Sequence, residues 1–324
     1  MSASRFPRTS EPAVFRFGFR GGADERRIRV ASIAAACVLV IALFWRQLMA
    51  AVILAVQNDR YIQIVGGPML CVALLYWKRD SIFTEARFSP RPALPVLAAL
   101  FIACFIWVMV QPPGTDLGAL MAVVPVILLI WITTFLLCYG PLTFRRALYA
   151  LACLAIAIPV PSAWLDDVSS GFQQGSAAVC YAVLTLIGVP VLRNGMVFSL
   201  PGLDFQIAPE CSGIRSALAF IMVALLAGGL FLRSGWRRAI LIAATIPIAI
   251  FKNAVRIVVI TTLGAYVDRS FIEGPFHHQY GGLIFGPLDI ALFIPVLMGL
   301  QRLDRRSSQP AAPRVPEHAA SSTA

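Results

Sequence analysis

The sequence predicts an all-α polytopic membrane protein of about eight transmembrane helices, with both termini in the cytoplasm. Of its 324 residues, 59% are hydrophobic and only 13% are charged, whereas a soluble domain carries about 25% charged residues. Apolar runs of about 17 or more residues recur along the chain, and a helix of this length crosses a ~30 Å hydrocarbon layer. Lipid offers the backbone no hydrogen-bond partner, so these runs are expected to be helical.

The formal net charge of +11 is first a topological signal, because basic residues remain on the cytoplasmic side of a membrane protein. The basic residues are scattered through short loops and are not gathered in one domain. This distribution argues against nucleic-acid binding, and we expect no nucleic-acid partner.

Eight apolar segments are assigned as crossings. They cover residues 30–45, 61–77, 92–111, 117–138, 147–160, 213–232, 239–262 and 280–300. Basic clusters at 78–79, 145–146 and 302–306 mark cytoplasmic ends. The stretches 1–29 and 303–324 are predicted to be disordered cytoplasmic tails around a transmembrane domain at 30–302.

One apolar segment, 175–192, leaves two topologies open. If it crosses, Cys211 lies in the cytoplasm, and the basic residues from Arg233 to Arg238 lie outside, against the positive-inside rule. The simpler solution keeps 162–210 outside, with 175–192 dipping into the membrane or lying along it.

Cys211 differs from the other six cysteines, because it alone lies beside charged and small polar residues, where a thiolate can be stabilised. In the simpler topology Cys211 lies at the outer mouth of span 213–232. Arg256 comes about 26 Å into its span, at roughly 1.5 Å per residue, and so lies near the outer rim. His277 and His278 open the last span at the same rim. The sequence thus predicts these groups at one height, which permits contact between them but does not establish it.

A thiol, an imidazole and a guanidinium together suit acyl transfer. The thiolate is the nucleophile, histidine moves protons near neutral pH, and arginine holds the oxyanion of a tetrahedral intermediate. The product is a thioester, open to attack by an amine or by water. The sequence contains no C-x-x-C pair and no other clear ligand cluster, so we expect no metal and no organic cofactor.

Each residue also has a simpler structural explanation. A lone cysteine at a helix end is often structural, an arginine near a span end can extend to the headgroups, and a histidine pair can anchor the interface. Glu210 and Arg215 can pair with each other or with loop backbone. However, Lys252 and Asn253 share a turn with Arg256, and polar groups at this depth usually face the bundle interior.

Three ordered motifs resemble those of the exosortase/archaeosortase family. They are Glu210-Cys211-Ser212-Gly213-Ile214-Arg215-Ser216, Asn253-Ala254-Val255-Arg256-Ile257, and His277 followed by Gly281 and Phe285. The resemblance covers roughly 58–300 and is strongest over a core at 185–286. Two departures are a second histidine, His278, directly after His277, and Gly282 where a large aromatic residue is common; the spacing to Gly281 and Phe285 favours His277.

The resemblance implies a multi-pass cysteine transpeptidase of the bacterial inner membrane, with its active site facing the periplasm or exterior. Such an enzyme cleaves exported proteins at a PEP-CTERM-like C-terminal signal, which comprises a short motif, a transmembrane helix and a basic cluster. The family's catalytic residues carry over to Cys211, Arg256 and His277. Glu210, Ser212, Arg215, Asn253 and His278 are predicted to support the site or bind substrate. Exported proteins, membrane lipid and exopolysaccharide machinery are the expected partners.

Two other functions remain open at this stage. A membrane acyltransferase would need a cytoplasmic nucleophile or a coenzyme A site, and neither a Cys/His zinc cluster nor a basic nucleotide-binding loop is evident. A transporter, or an assembly subunit for envelope polysaccharide, could use Arg256 and Lys252 to bind an anion. The sequence lacks the inverted repeat of many transporters, which counts against that function.

Overall fold

A computed structural model describes residues 23–84, 90–110, 114–208, 213–273 and 281–308. Helices α1 to α10 span Ala23–Gln57, Gln63–Trp77, Arg79–Ile82, Pro90–Val110, Leu117–Ala152, Ser162–Leu186, Ile214–Phe231, Gly235–Tyr266, Ser270–Glu273 and Gly281–Ser308. Short 3-10 helices lie at Asp59–Tyr61 and Cys153–Ala157, and strands β1 to β3 span Leu192–Asn194, Val197–Leu200 and Leu203–Gln206. The fold is thus predominantly helical, as predicted.

Five of the described helical segments are long and apolar enough to cross a membrane. They are Arg27–Gln57, Leu117–Ala157, Ile214–Phe231, Gly235–Tyr266 and Ile284–Ser307. The apolar part of α4, Pro95–Trp107, is shorter, and α2 has 15 residues. A polytopic membrane protein is therefore confirmed, whereas the count of eight crossings stays a prediction.

Several predicted boundaries need correction. The first crossing does not stop at Arg46, because α1 continues to Gln57 past a non-helical residue, Phe44 (φ −126°, ψ 20°). The predicted span 117–138 and the start of the span 147–160 both lie in α5, which is broken at Gly140 (φ 76°, ψ 170°) just before Pro141. A proline lacks the N–H that would continue the helical ladder, which favours a break there. Helix α1 starts at Ala23 and α10 ends at Ser308, so both helices extend a few residues into the stretches predicted as tails.

The helices meet at two chemically different ends. The first, here called the basic end, carries Lys78, Arg145, Arg146, Arg233, Arg237 and Arg238. The contacts there include an Arg146–Thr84 hydrogen bond and an Arg237–Asp304 ion pair. This end gathers the cationic residues that the sequence predicted to lie in the cytoplasm.

The second end, here called the sheet end, joins the start of α2 to the start of α6 and α7. Arg60 Nη1 lies 2.7 Å from Asp166 Oδ1, and the Tyr61 hydroxyl donates to the Val160 carbonyl at 3.3 Å. A buried cluster beneath these contacts includes Leu165 of α6 and Ile214 of α7. Helix α7 therefore runs from the sheet end to the basic end, and α8 runs back.

Helix α6 stays at the sheet end. It begins beside Arg60, and its middle packs along the second half of α8: a Cβ on Gly175 would lie 3.1 Å from Ile250 Cδ1, and Ser176 contacts Asn253. Because α8 is heading toward the sheet end there, α6 follows it in the same direction. The segment 175–192 does not return to the basic end in the structure.

The sheet after α6 is an addition to the predicted all-α architecture. Its strands are antiparallel in the order β1-β2-β3. Gly195 (φ 64°) opens the first two-residue turn, and Pro201-Gly202 forms the second with Gly202 at φ 81°. These positions suit turns that require positive φ. The fully buried Phe198 stacks on Phe205 with centroids 5.2 Å apart, in a cluster that includes residues of α6 and α8.

Candidate active site

The predicted site residues fall into two groups in the structure. Arg215, Asn253 and Arg256 lie within the described residues. The others, Glu210, Cys211, Ser212, His277 and His278, lie outside them. The described residues on either side show how the chain is held before and after each of these segments.

The chain enters the cysteine segment from β3. Ile207, directly after the strand, is buried, and its N–H donates to the Met196 carbonyl at 3.0 Å. Gln173 of α6 donates its side-chain amide to the Ile207 carbonyl. The approach to Cys211 is therefore held by both the sheet and α6, up to four residues before the thiol.

The chain leaves the cysteine segment through Gly213, which precedes α7 with φ 81° and ψ 4°. This left-handed conformation disfavours residues with a Cβ. Space imposes a second requirement, because a Cβ built on Gly213 would lie 3.0 Å from Asn253 Cγ. Gly213 thus allows the backbone two residues after Cys211 to pack directly against α8.

Asn253 joins three elements at this point. Its side chain is 2% exposed and donates from Nδ2 to Ser176 Oγ of α6 at 3.0 Å. The same side chain covers Gly213 at the start of α7. An amide in this position satisfies buried polar groups while fixing the distance between α6, α7 and α8.

Lys252 forms a second connection to the same turn. Its Nζ donates to Ser216 Oγ of α7 at 2.9 Å, and Ser216 Oγ in turn donates to the Gly213 carbonyl at 2.9 Å. The ammonium also lies 3.2 Å from Asp289 Oδ2 of α10, and the two side chains are only 7% and 13% exposed. A buried ion pair thus joins α8 and α10 to the turn after Cys211.

Sequence reasoning missed Asp289, although a signal was present. Asp289 is the one acidic residue in the apolar run 280–300. A lone carboxylate inside a transmembrane segment usually pairs with a cation in the bundle interior. Lys252 was the available cation, but sequence alone did not indicate which span would face it.

Arg256 lies one helical turn beyond Lys252 and Asn253 in the direction of the sheet end. Residues three and four apart share a helix face and are separated by about one 5.4 Å pitch. Arg256 is half-buried on that face, whereas Lys252 and Asn253 are buried. The turn that contains Gly213, two residues after Cys211 in sequence, packs against Asn253, one helical turn before Arg256.

Arg215 does not belong to this cluster in the structure. Its side chain is 74% exposed, and its Nη1 lies 2.8 Å from Asp59 Oδ2 in the connection between α1 and α2. Arg215 thus links the start of α7 to a neighbouring loop, and its supporting role in the site stays a prediction. Such an exposed pair contributes little to stability.

The histidine segment connects two described elements near the sheet. Before it, Arg269 donates from Nη2 to the Gly202 carbonyl at 3.1 Å. After it, α10 packs on α8, with Phe285 buried and Asp289 paired to Lys252. The two ends of the segment are thus tied to the sheet turn and to the helix that carries Arg256.

Within the described residues, no group of three His, Cys, Asp or Glu side chains is arranged to hold a metal ion. The six described cysteines are free thiols on helices or 3-10 turns, and five of them are buried. The polar groups that do converge are Lys252, Asp289, Asn253 and Ser216. Asp289 neutralises the charge of Lys252, so this cluster is suited to hold the backbone of the turn at Gly213. Arg256 lies on the same face of α8, nearer to the sheet end.

Comparison with known proteins identifies a family. The family model described as transmembrane exosortase matches residues 45–294, which include the cysteine, arginine and histidine motifs. No curated protein and no solved structure matches the chain. The matched range covers well over half of the 324 residues, so the chain belongs to the transmembrane exosortase family.

Proposed function

We propose that this exosortase is a cysteine transpeptidase that processes exported proteins at a C-terminal PEP-CTERM-like sorting signal. Cys211 attacks the peptide bond next to the signal's transmembrane helix and forms a thioester with the upstream part of the substrate. An amine acceptor of the envelope, or water, then releases that part. The wall beside the cysteine is formed by α6 and the sheet, since both hold the chain that leads to it.

Arg256 and His277 are the proposed catalytic partners. The guanidinium of Arg256 binds the oxyanion of the tetrahedral intermediate, where a fork of fixed donors is most effective. His277 takes the thiol proton and gives it to the leaving amine, while His278, directly beside it, takes a supporting role. Glu210 and Ser212 flank the nucleophile and contribute to substrate binding.

The observation that carries this proposal is the contact between Gly213 and Asn253. Gly213 is the second residue after Cys211, and one helical turn separates Asn253 from Arg256. Gly213 packs closely against Asn253, and this contact supports a position for the Cys211 thiol near the Arg256 guanidinium. Membership of the exosortase family supports the assignment independently.

We also propose that the site faces the periplasm or exterior of the bacterial inner membrane. The basic end carries the cationic residues that favour the cytoplasm, and the turn at Gly213 lies at the other end of α7. With eight crossings, both termini then lie inside. Single cysteines test this placement: Asn194→Cys should react with an impermeant maleimide in intact cells, and Arg145→Cys only after permeabilisation. The reverse pattern would reject the orientation.

The activity is tested by co-expression with a tagged exported protein from the same genome that carries such a signal. Wild-type protein should shorten the substrate, and Cys211→Ala should not. Cys37→Ala is the matched control, because it removes the same thiol from a half-buried position on α1 and should leave processing intact.

The same experiment also tests one alternative function. A transporter or assembly subunit for envelope polysaccharide would not require the thiol. If processing and secretion are unchanged in Cys211→Ala, Cys211 is not the nucleophile and that function gains support.

A further inference from the structure

A cavity of about 450 Å³ lies at the basic end, between α2, the part of α5 after its break, and α8. Its charged lining consists of Lys78, Arg145, Arg146 and Arg238. Its floor is apolar and includes the buried Leu74 and Ile82. The cavity thus combines four cationic side chains with an apolar base at the level where the apolar helices end.

Arg238 is held rigidly at the wall of this cavity. Its Nε and Nη2 donate to the Leu232 carbonyl at 3.0 and 2.8 Å, and its Cζ lies 4.2 Å from the centre of the Tyr149 ring. Tyr149 is itself fixed, since its hydroxyl donates to the Leu225 carbonyl at 2.8 Å. The guanidinium is therefore oriented in advance, which reduces the entropy lost when a ligand binds.

None of the described residues that line the cavity is acidic. Arg146 is already hydrogen-bonded to Thr84, so the cations considered for binding an anion are Lys78, Arg145 and Arg238. The nearby carboxylate of Asp304 is already engaged by the Arg237 side chain and the Arg233 N–H. Burial and the charges of Arg238 and Arg233 lower the pKa of Lys78. Like charges held together in this way are relieved by an anion.

We propose that this cavity binds a phosphate group, supplied either by the headgroup of an anionic membrane lipid or by a soluble phosphate compound. Arginine and lysine side chains around a small cavity suit a phosphate, which accepts several charge-assisted hydrogen bonds at once. Basic cavities between helices at the cytoplasmic surface are known to hold acidic lipid headgroups. The site is separate from the proposed active site, which lies at the opposite end of α7.

The test uses the full-length protein in detergent and native mass spectrometry with added phosphatidylglycerol or phosphatidylcholine. Phosphatidylglycerol should bind at least about tenfold more tightly, because its net charge meets several cations, each worth about fivefold near a membrane surface. Lys78→Gln combined with Arg145→Gln should remove most of this preference. Lys78→Arg should keep it, and circular dichroism should establish that each variant is folded.

The matched control is Arg305→Gln combined with Arg306→Gln. These arginines are exposed near the same end, on α10, and do not line the cavity. The control should retain the preference within about twofold, as expected for screened surface charges. Equal losses in the cavity and control variants would overturn the proposal, as would equal binding of the two lipids without any binding of inorganic phosphate.

Inorganic phosphate distinguishes the two sources. If millimolar phosphate displaces phosphatidylglycerol from wild-type protein but has no effect in the Lys78/Arg145 variant, the cavity holds a soluble phosphate compound. If phosphate does not displace the lipid while the cavity variant still loses it, the ligand is the lipid headgroup together with its acyl chains. Either result supports a phosphate site, whereas binding of neither ligand rejects it.

Discussion

Two ion pairs connect α8 to α10, one near each end of the bundle. Lys252–Asp289 lies toward the sheet end with side chains 7% and 13% exposed, and Arg237–Asp304 lies at the basic end with side chains 12% and 8% exposed. They are alike in burial and in the helices that they join. They differ in the hydrogen bonds that each pair makes to other groups.

The Arg237–Asp304 pair makes further hydrogen bonds close to the same helix ends: the Arg233 N–H donates to Asp304, and Arg237 donates to the Ser307 hydroxyl. The Lys252–Asp289 pair continues through Ser216 to the carbonyl of Gly213, two residues after Cys211. A buried ion pair adds little net stability but is costly to break. The difference therefore suggests that the first pair fixes helix ends, whereas the second also fixes the turn that carries the proposed nucleophile.

The largest expected effect comes from removing one charge of the site pair. Asp289→Asn leaves the buried Lys252 ammonium without its carboxylate, which costs about 3 kcal/mol in folding free energy. The ammonium should then shift and release Ser216, so processing per folded molecule should fall at least about tenfold, the ratio that a 1.4 kcal/mol loss produces. Substrate processing, normalised to folded protein from size-exclusion chromatography, measures this.

Asp304→Asn is the matched control at the other end. It should lower the yield of folded protein, because Arg237 loses its partner, but processing per folded molecule should be unchanged. An equal loss of processing in both variants would mean that the two pairs act only through general stability.

A paired replacement separates folding from positioning. Lys252→Met combined with Asp289→Leu removes both charges and fills similar volume, a change that is often neutral or stabilising. Folded yield should recover relative to Asp289→Asn, while processing should stay low because Ser216 has lost its donor. Recovery of both quantities would show that the hydrogen bond to Ser216 is dispensable.

A smaller effect is expected at the turn itself. Gly213→Ala and Gly202→Ala both place a Cβ at φ 81°, but only the first meets another residue, Asn253. Each should cost about 1–2 kcal/mol through backbone conformation. Gly213→Ala should in addition reduce processing, and combining it with Asn253→Ala should not restore activity, because the link to Ser176 is lost. Thermal unfolding and the processing assay compare the two; equal activities would contradict a role for the contact.

The smallest effect is expected at Arg215, whose side chain is largely exposed and pairs with Asp59. Arg215→Gln removes an exposed pair with Asp59, which is worth less than about 1 kcal/mol. Processing should change by less than about threefold, whereas Arg256→Gln should nearly abolish it, as expected when an oxyanion-binding donor is lost. Comparable losses in both variants would restore Arg215 to the site.

Local sequence signals anticipated the parts of this arrangement that depend on helical periodicity. The grouping of Lys252, Asn253 and Arg256 on one turn follows from 3.6 residues per turn, and the first two are buried as their depth predicted. The positive-inside rule predicted that Lys78, Arg146 and Arg238 belong together, and the structure gathers them at one end. Asp289 and Ser176 were missed because their partners are set by packing between helices distant in sequence.

The sheet was also missed, although its turns carry recognisable signals. Asn194-Gly195 and Pro201-Gly202 are typical turn pairs, but the strands between them have only three or four residues. Such short strands give no clear alternation, so the sequence indicates only a loop at 193–210 within the outer segment 162–210. Their stability comes from packing of Phe198 and Ile207 in a cluster with residues of α6 and α8, which sequence alone does not reveal.

The most direct test of the central claim is capture of the acyl-enzyme. Membranes containing the protein and a tagged substrate would be quenched in acid and digested, and the peptides analysed by mass spectrometry. We predict a substrate fragment linked to Cys211 through a hydroxylamine-sensitive thioester, and its absence in Cys211→Ala. Processing that persists in Cys211→Ala, or a substrate linked to another residue, would contradict the account.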